Sequence, residues 1–306
     1  PLGTQGNLFG ITGGEGTGKS NYVAAIVAGC ICPAGADIDT LGVQITANGR
    51  HKAVLLYDTE QSEVQLFKNV NNLLTRAKQP DKPDELKAFC LTGMSRKERL
   101  NAIVQSMDKF YYQYGGIQLV VIDGIADLVK SANDEAESVA VIDELYRLAG
   151  IYNTCILCVL HFVPNGLKLR GHLGSELQRK AATILSIEKD EEPTQSVVKA
   201  LKVRDGSPLD VPLMLFAWDK KAGMHTCRGE KPRKEKEKRK ERELVCVARD
   251  VFGRQKRITY IDLCEQLQQI LDIKERTAKN YIRFMRERDI IIKDTANQSY
   301  FVIGSI

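Results

Sequence analysis

The chain has 306 residues, is 43% hydrophobic and carries a formal net charge of +5, so it is long enough for one α/β domain with a sizeable core and a smaller second unit. It contains no run of 18 uncharged apolar residues and no recognisable secretory signal, which argues against a membrane-spanning or secreted protein. Its eight cysteines show no paired zinc-ligand spacing, and we expect reduced thiols in a cytoplasmic protein.

The first predicted strand, Leu8–Thr12, leads directly into a glycine-rich segment, GGEGTGKS. This segment fits the phosphate-binding pattern G-x-x-x-x-G-K-[ST]. Glycine lets backbone N–H groups face an anion, and the following helix adds the positive end of its dipole. Lys19 would reach the terminal phosphates and the Ser20 hydroxyl would bind Mg²⁺, whereas the alternative is a simple turn that caps a helix. We therefore predict that ATP and Mg²⁺ bind at Gly13, Gly14, Glu15, Gly16, Thr17, Gly18, Lys19, Ser20 and Asn21.

As far as residue 227, apolar β-rich segments alternate with helical patterns, which predicts an α/β fold with a mostly parallel sheet covered by helices on both faces. The predicted strands after the first are Ala53–Asp58, Leu119–Asp123, Thr154–His161, Ala182–Glu188 and Val197–Val203, and Leu213–Trp218 is predicted to end the sheet. The predicted helices are Lys19–Ala28, Glu63–Arg76, Ser95–Tyr112 and Glu135–Ala149.

Hydrolysis of a bound triphosphate needs an acid beside the metal, a group that orients water, and positive charge for the transition state. The apolar segment LVVID ends in Asp123, which we predict to bind Mg²⁺, although an Asp in this place can also merely begin a turn. Gly124 follows, where AAA+ proteins carry the water-polarising glutamate. The candidate for that acid is Glu60, just past the second strand. The alternative role for Glu60 is an acid favoured by a helix N-terminus.

Asp58-Thr59-Glu60 resembles the sequence around the catalytic glutamate of RecA-like ATPases. Further along, a strand ends in His161, Arg-Gly-x-x-Gly-Ser precedes a helix, and Lys202-x-Arg204 ends another strand. This order resembles the RepA-type hexameric replicative helicases of plasmids and mobile elements, and more distantly the DnaB-type ring helicases. The resemblance covers about residues 8–218 and implies an ATP hydrolase that acts on DNA.

The resemblance implies roles for several residues. His161 would sense the γ-phosphate, and Lys202 and Arg204 would reach into the neighbouring subunit's site, with Arg204 as the arginine finger. The alternative for His161 is a histidine at a strand end whose hydrogen bonds are satisfied within the fold. The alternative for Lys202 and Arg204 is an alternating charge pattern on an edge strand. Residues 164–176 would face the ring channel, where a single DNA strand would contact Lys168, Arg170 and His172. This loop has no aromatic residue after Phe162, so the sequence also allows a ring that grips DNA without unwinding it.

The segment 228–243 is almost entirely charged or polar, and we interpret it as a solvated linker or the first turns of an exposed helix. It separates two parts of different charge. Residues 228–306 contain 20 Lys and Arg against 13 Asp and Glu, whereas residues 1–227 contain 24 against 26. The excess positive charge of the C-terminal part indicates a nucleic-acid contact there.

The C-terminal part, residues 244–306, shows three helical patterns followed by a hairpin. The predicted inward-facing residues are Leu244, Val247, Ala248, Val251 and Phe252 in the first helix, Leu263, Leu267, Ile270 and Leu271 in the second, and Ala278, Ile282 and Met285 in the third. Thr259-x-x-Asp262 is a capping sequence for the second helix. The third also carries a basic face, predicted to bind DNA, of Arg276, Lys279, Arg283 and Arg286. This order resembles the winged-helix fold, and the alternative is a small helical oligomerisation module.

The sequence thus predicts a RecA-like P-loop ATPase domain at 1–227, a charged linker at 228–243 and a winged-helix DNA-binding domain at 244–306. The leading interpretation is a homo-oligomeric, hexameric ring on DNA that hydrolyses ATP between subunits as a helicase or translocase in replication. A second is an initiator or regulator whose winged helix reads duplex DNA and whose assembly ATP switches. A small-molecule kinase is a weaker third, because such kinases have little use for a basic C-terminal module.

Overall fold

The computed structural model describes residues 1–161, 171–232 and 235–304. Within these ranges the chain forms two units, Pro1–Lys231 and Pro232–Ile306, which are described separately. The described part of the chain includes no helix with the length and apolar character needed to cross a bilayer.

The first unit is built on one nine-stranded sheet. Its strands are β1 (Leu8–Gly13), β2 (Ala53–Asp58), β3 (Leu86–Cys90), β4 (Ile117–Asp123), β5 (Cys155–His161), β6 (Thr183–Lys189), β7 (Gln195–Val203), β8 (Leu213–Asp219) and β9 (Met224–Lys231). They lie in the order β3-β2-β4-β5-β1-β6-β7-β8-β9. The first six in this order pair in parallel, and the last three continue the sheet in antiparallel pairing.

Five helices of the first unit cover the sheet: α1 (Lys19–Ile31), α2 (Glu63–Arg76), α3 (Arg96–Tyr114), α4 (Glu135–Ile151) and α5 (Gly171–Lys180). The central strands are continuous apolar segments because both of their faces are buried. Side chains of one strand belong to opposite cores, as Cys158 packs in one and Cys155 in the other. The predicted α/β fold, a mostly parallel sheet flanked by helices, is therefore confirmed.

Two strands differ from the prediction, and both lie at the edges of the sheet. The prediction missed β3, whose sequence LKAFC is only partly buried. Leu213–Trp218 does not end the sheet, because β9 pairs beyond it. Strand β9 has the mixed sequence MHTCRGEK and is half-buried to exposed, so no apolar alternation reveals it. Its last residues, Arg228–Lys231, belong to the segment that the sequence assigns to the linker.

The second unit contains α6 (Glu235–Arg254), α7 (Tyr260–Leu271) and α8 (Glu275–Glu287), with short strands β10 (Ile258–Thr259), β11 (Ile291–Lys293) and β12 (Tyr300–Ile303). The strands form an antiparallel sheet in the order β10-β12-β11. The Thr259 hydroxyl caps α7 by accepting a hydrogen bond from the Asp262 N–H.

The predicted apolar stripes of the second unit form its core, with one exception. Val251, Leu263 and Ile282 are almost completely buried among the residues of this core. Ile270, predicted to face inward, is 48% exposed, while its neighbour Leu271 packs against the core. In the last turn of α7 the residue that packs against the core is therefore Leu271 and not Ile270, and the helix ends with Asp272 in the left-handed conformation.

Candidate nucleotide-binding site

The glycine-rich loop lies between β1 and α1, and its backbone requires glycine at specific points. Gly16 and Gly18 adopt positive φ angles of 66° and 96°. A Cβ on Gly13 would lie 2.3 Å from the Ile187 carbonyl oxygen, and one on Gly18 would lie 2.8 Å from the Phe216 ring. Helix α1 then begins with no side-chain cap. Its first N–H groups therefore remain available to an anion.

The Lys19 side chain is folded into this loop and is only 8% exposed. Its amine donates hydrogen bonds to the carbonyl oxygens of Gly13 at 3.0 Å and Gly14 at 2.7 Å. Burial lowers the pKa of the Lys19 amine, while Asp123, Glu60 and Glu15 oppose that effect. The loop thus holds a cation that is well placed to interact with phosphate.

The end of β2 forms a tight turn that carries Glu60 at its surface. Asp58 is buried, and its Oδ1 accepts hydrogen bonds from the backbone N–H groups of Glu60 at 3.0 Å and Gln61 at 2.8 Å. Thr59 ties this turn to β4, because its N–H and its hydroxyl both donate to the Asp123 carbonyl oxygen. The carboxylates at the ends of β2 and β4 are therefore held side by side.

Gly124 explains why the acid does not directly follow Asp123. Its φ is +99°, and a Cβ there would lie 2.3 Å from the Thr59 hydroxyl and 2.7 Å from the Glu60 Cγ. The space that a side chain at position 124 would need is thus already filled from the neighbouring strand. Glu60 is brought to the site by β2 in place of an acid on β4.

Asp123 lies in a crowded group of negative charges. Burial raises the pKa of Asp123 to about 7, and the nearby Asp58 and Glu60 contribute to this rise, against the opposing effects of Lys19 and His161. A carboxyl that resists ionisation for these reasons favours a cation beside it.

The residues present fit Mg²⁺ shared with a triphosphate. In the described part of the chain, no three His, Cys, Asp or Glu side chains are arranged to hold a metal by themselves. Mg²⁺ is usually held by one or two protein groups together with substrate phosphates and water. The exposed hydroxyl of Ser20 and the carboxylate of Asp123 line the same cavity, and they supply such a pair.

His161 lies between Lys19 and Glu60. Its Nδ1 is 3.2 Å from the Lys19 amine, and its Nε2 is 3.3 Å from a Glu60 carboxylate oxygen. Because a charged lysine can only donate, Nδ1 accepts this hydrogen bond, and the ring proton resides on Nε2 and donates to Glu60. The histidine at this strand end is therefore part of the site.

One cavity is lined by most of the residues predicted to bind or hydrolyse the nucleotide, together with two residues that sequence reasoning missed, Gln61 and His225. Gln61 adjoins Glu60 in the sequence, whereas nothing in the sequence around His225 marks it. Gly13, Gly14 and Thr17 shape the loop from behind, as the Thr17 hydroxyl donates to the Gly14 carbonyl oxygen. The cavity is lined by Glu15, Gly16, Gly18, Lys19, Ser20, Asn21, Glu60, Gln61, Asp123, His161 and His225.

Lys202 and Arg204 are not brought to this cavity. The Lys202 amine donates to the carbonyl oxygens of Gln178 and Arg179 at the end of α5. The Arg204 guanidinium donates to the Lys180 carbonyl oxygen at 2.9 Å and to the Asn7 side chain at 3.4 Å. Strand β7 lies between β6 and β8 and is not an edge strand.

The residues predicted to contact DNA are only partly described. Lys168 and Arg170 lie outside the described residues, and His172 is exposed in the first turn of α5. On α8 all four predicted cations are exposed. Two of them pair with acids of the same helix, Lys279 with Glu275 at 2.6 Å and Arg283 with Glu287 at 2.8 Å. The positive face of α8 is therefore partly neutralised.

A glycine-rich loop at the end of a central parallel strand, a buried lysine, and carboxylates from adjacent strands define a P-loop nucleoside triphosphatase on a RecA-like fold. The family model described as AAA domain matches residues 4–165. This match covers more than half of the chain, which therefore belongs to this family of P-loop AAA-type ATPases. It ends beyond β5 and does not include β6–β9 or the second unit. A search for relatives among curated proteins returned no match.

Proposed function

We propose that the protein is a DNA-dependent ATPase of the RepA type, which assembles into a ring and hydrolyses ATP between subunits. The ring is a hexamer that acts as a helicase or translocase in replicating a plasmid or mobile element. The observation that carries the proposal is the position of Arg204 at the end of the sheet remote from the P-loop of its own chain. An arginine in this place serves a nucleotide only if that nucleotide is bound to another subunit.

The residues of the cavity divide the chemistry of hydrolysis among them. Lys19 binds the terminal phosphates. Glu60, held by the Asp58 turn, orients the attacking water and accepts its proton. His161 links Lys19 to Glu60, so a contact with the γ-phosphate at Lys19 is passed to the catalytic carboxylate. Ser20 and Asp123 would hold Mg²⁺, which when bound neutralises part of the charge on the phosphate oxygens.

Arg204 is separated from the P-loop of its own chain by the whole length of β1. It contacts Asn7, just before β1, whereas the P-loop follows Gly13 at the other end of that strand. Six residues of extended strand span about 20 Å. The guanidinium therefore acts in trans, as the arginine finger that stabilises the transferring phosphoryl group.

The second unit supplies the contact with duplex DNA in this proposal. Three helices and a small antiparallel sheet follow one another in the order of a winged helix. The buried stripe of α8 leaves its basic residues exposed on another face, where a helix presented to the major groove carries its contacts.

A second candidate is an ATP-switched initiator or regulator without unwinding activity. It is favoured by the exposed cations of α8, because a helix that reads a specific duplex needs such a surface. It is also favoured by the lack of aromatic residues between Phe162 and residue 176, since translocating channels often stack bases on aromatic side chains.

Truncation after Lys231 separates the two candidates. The cut falls at the division between the units and leaves β9 complete. In the proposed motor, the truncated protein keeps its ATPase activity and its stimulation by single-stranded DNA. Both the truncated protein and the full chain are expected to gain mass in solution with a non-hydrolysable ATP analogue. A truncated protein that ignores single strands, together with a full chain that binds one duplex sequence tightly, would instead establish the second candidate.

A further inference from the structure

The cavity at the P-loop has two sides that come from opposite halves of the sheet. Strands β2, β4 and β5 lie on one side of β1, and β6–β9 lie on the other. Glu60, Asp123 and His161 reach the cavity from the first side, whereas His225 reaches it from β9 on the second. The groups that act on phosphate therefore occupy one side, and the other side has no part in the chemistry proposed above.

The second side carries an aromatic surface. Trp218 and His225 are opposite one another in the β8–β9 pairing, so their side chains share one face of the sheet. Their ring centres are 5.5 Å apart and the rings meet edge to face. Phe216 lies two residues before Trp218 on that face, with its ring 5.8 Å from the His225 ring and so near the P-loop that a Cβ on Gly18 would lie 2.8 Å from it. The aromatic surface and the P-loop are thus continuous.

The rings of this surface differ in exposure. Phe216 is fully buried under the loop, whereas Trp218 leaves 54% of its surface exposed. Arg76 holds the strand in place, because its buried guanidinium donates to the His225 carbonyl oxygen at 2.6 Å and to the Asp39 carbonyl oxygen at 2.7 Å. The surface is therefore fixed from behind and accessible from the solvent.

His225 is suited to a neutral, flat ligand and not to phosphate. Its Nδ1 is buried and has no hydrogen-bond partner among the described residues. Protonation of the ring would therefore bury an unpaired N–H. Burial, together with the nearby Arg76 and Lys189, lowers the pKa of His225 below its ordinary value. This shift favours the neutral imidazole, and a neutral ring suits stacking or edge contact with an uncharged ring system.

We propose that His225 and Trp218 form the binding surface for the nucleobase of the triphosphate whose phosphates bind the P-loop. The inference rests on the nucleotide binding in the proposed function, but it does not depend on DNA, on a ring or on hydrolysis. If the base lies on this surface, the phosphates of the same nucleotide would extend along the P-loop toward Lys19 and Asp123.

The experiment compares ATP with inorganic tripolyphosphate, each with Mg²⁺, on the full chain. Trp218 is the single tryptophan, so its fluorescence reports this surface alone. ATP is expected to change the Trp218 emission, whereas tripolyphosphate displaces ATP without the same change. In calorimetry, His225→Ala is expected to lower the affinity for ATP about tenfold, the size of one lost base stack, and to leave the affinity for tripolyphosphate unchanged.

Two further variants separate stacking from general damage. His225→Phe retains a flat ring and is expected to keep most of the ATP affinity. His51→Ala removes a histidine with an 81% exposed side chain elsewhere in the same unit and is expected to change neither affinity. An ATP affinity that His225→Ala leaves intact would overturn the proposal, as would an equal loss for both ligands. If the unaltered protein binds neither ligand, the proposed function itself fails as well.

Discussion

The amine of Lys19 and the guanidinium of Arg204 lie at opposite ends of the same sheet. Lys19 is hydrogen-bonded to the loop that follows β1, and Arg204 contacts Asn7, just before β1. In this arrangement a single chain does not bring the two groups to one nucleotide, so the proposed role of Arg204 in hydrolysis would require a second subunit.

Mixed assemblies test this relationship directly. Lys19→Ala subunits and Arg204→Ala subunits are each expected to be inactive in hydrolysis. When mixed, they are expected to regain part of the activity, because some sites combine an intact P-loop with an intact arginine from the neighbour. The measurement is the ATPase rate against the mixing ratio, with co-assembly checked by mass.

A matched control is Arg147→Ala, an exposed arginine paired with Glu144 on α4, which is expected to keep full activity. No recovery in confirmed mixed assemblies would rule out action in trans.

Substitutions of Lys19 and Glu60 are expected to block different steps, ATP binding and ATP hydrolysis respectively. Lys19→Ala removes the cation that faces the phosphates, so it is expected to abolish ATP binding. Glu60→Gln is expected to retain binding while turnover falls by about 10²- to 10⁴-fold, because only the proton acceptor is lost. Binding by calorimetry and phosphate release measure the two steps separately.

The control for Glu60 is Glu63→Gln, an exposed acid in the first turn of α2. It makes the same change of charge close to the site and is expected to leave the rate unchanged. Normal turnover in Glu60→Gln would show that the water-orienting acid lies elsewhere.

Gly124 is expected to tolerate no side chain. Alanine there would adopt a strained positive φ, and it would collide with Thr59 and Glu60. Gly124→Ala is expected to destabilise the fold by about 1–3 kcal/mol and to displace Glu60, with a loss of turnover.

Gly150→Ala is the control, because that glycine lies within α4 and a Cβ added to it would meet no atom within 4 Å. It is expected to be neutral or stabilising by about 0.5–1 kcal/mol. Urea unfolding and ATPase rates provide the comparison, and equal stability in both variants would contradict the explanation.

The central strands of the sheet were predictable because they are continuous apolar segments buried on both faces. The edge strands β3 and β9 were not, because most residues of β3 are only partly buried and β9 is half-buried to exposed, so neither shows an apolar pattern. The same distinction applies to the site. A motif reveals the P-loop, and Glu60 follows from its sequence context. The need for glycine at 124 depends on Thr59, which lies 65 residues away. The place of His225 depends on pairing between two strands at the edge of the sheet.

If the basic face of α8 binds duplex DNA, substitutions at the adjacent residues Glu275 and Arg276 are expected to change the affinity in opposite directions. Arg276 is exposed, and Arg276→Ala is expected to weaken duplex binding by the full chain and to reduce its salt dependence by about one unit of slope. Glu275 pairs with Lys279 at 2.6 Å, so Glu275→Gln is expected to strengthen duplex binding, because it frees that cation for phosphate. Arg249→Ala, an exposed cation on α6, serves as the control.

Titrations with labelled duplex at several salt concentrations measure all three variants. The two α8 substitutions change the net charge in opposite directions, so general electrostatic attraction alone would also give them opposite effects. Arg249→Ala removes a positive charge outside α8, and comparison with it shows whether the duplex contacts α8 itself. An equal effect of Arg276→Ala and Arg249→Ala would mean that the duplex responds to the total charge of the unit. A loss confined to Arg276→Ala, with a gain in Glu275→Gln, would place the duplex on α8, since general attraction cannot distinguish one exposed arginine from another.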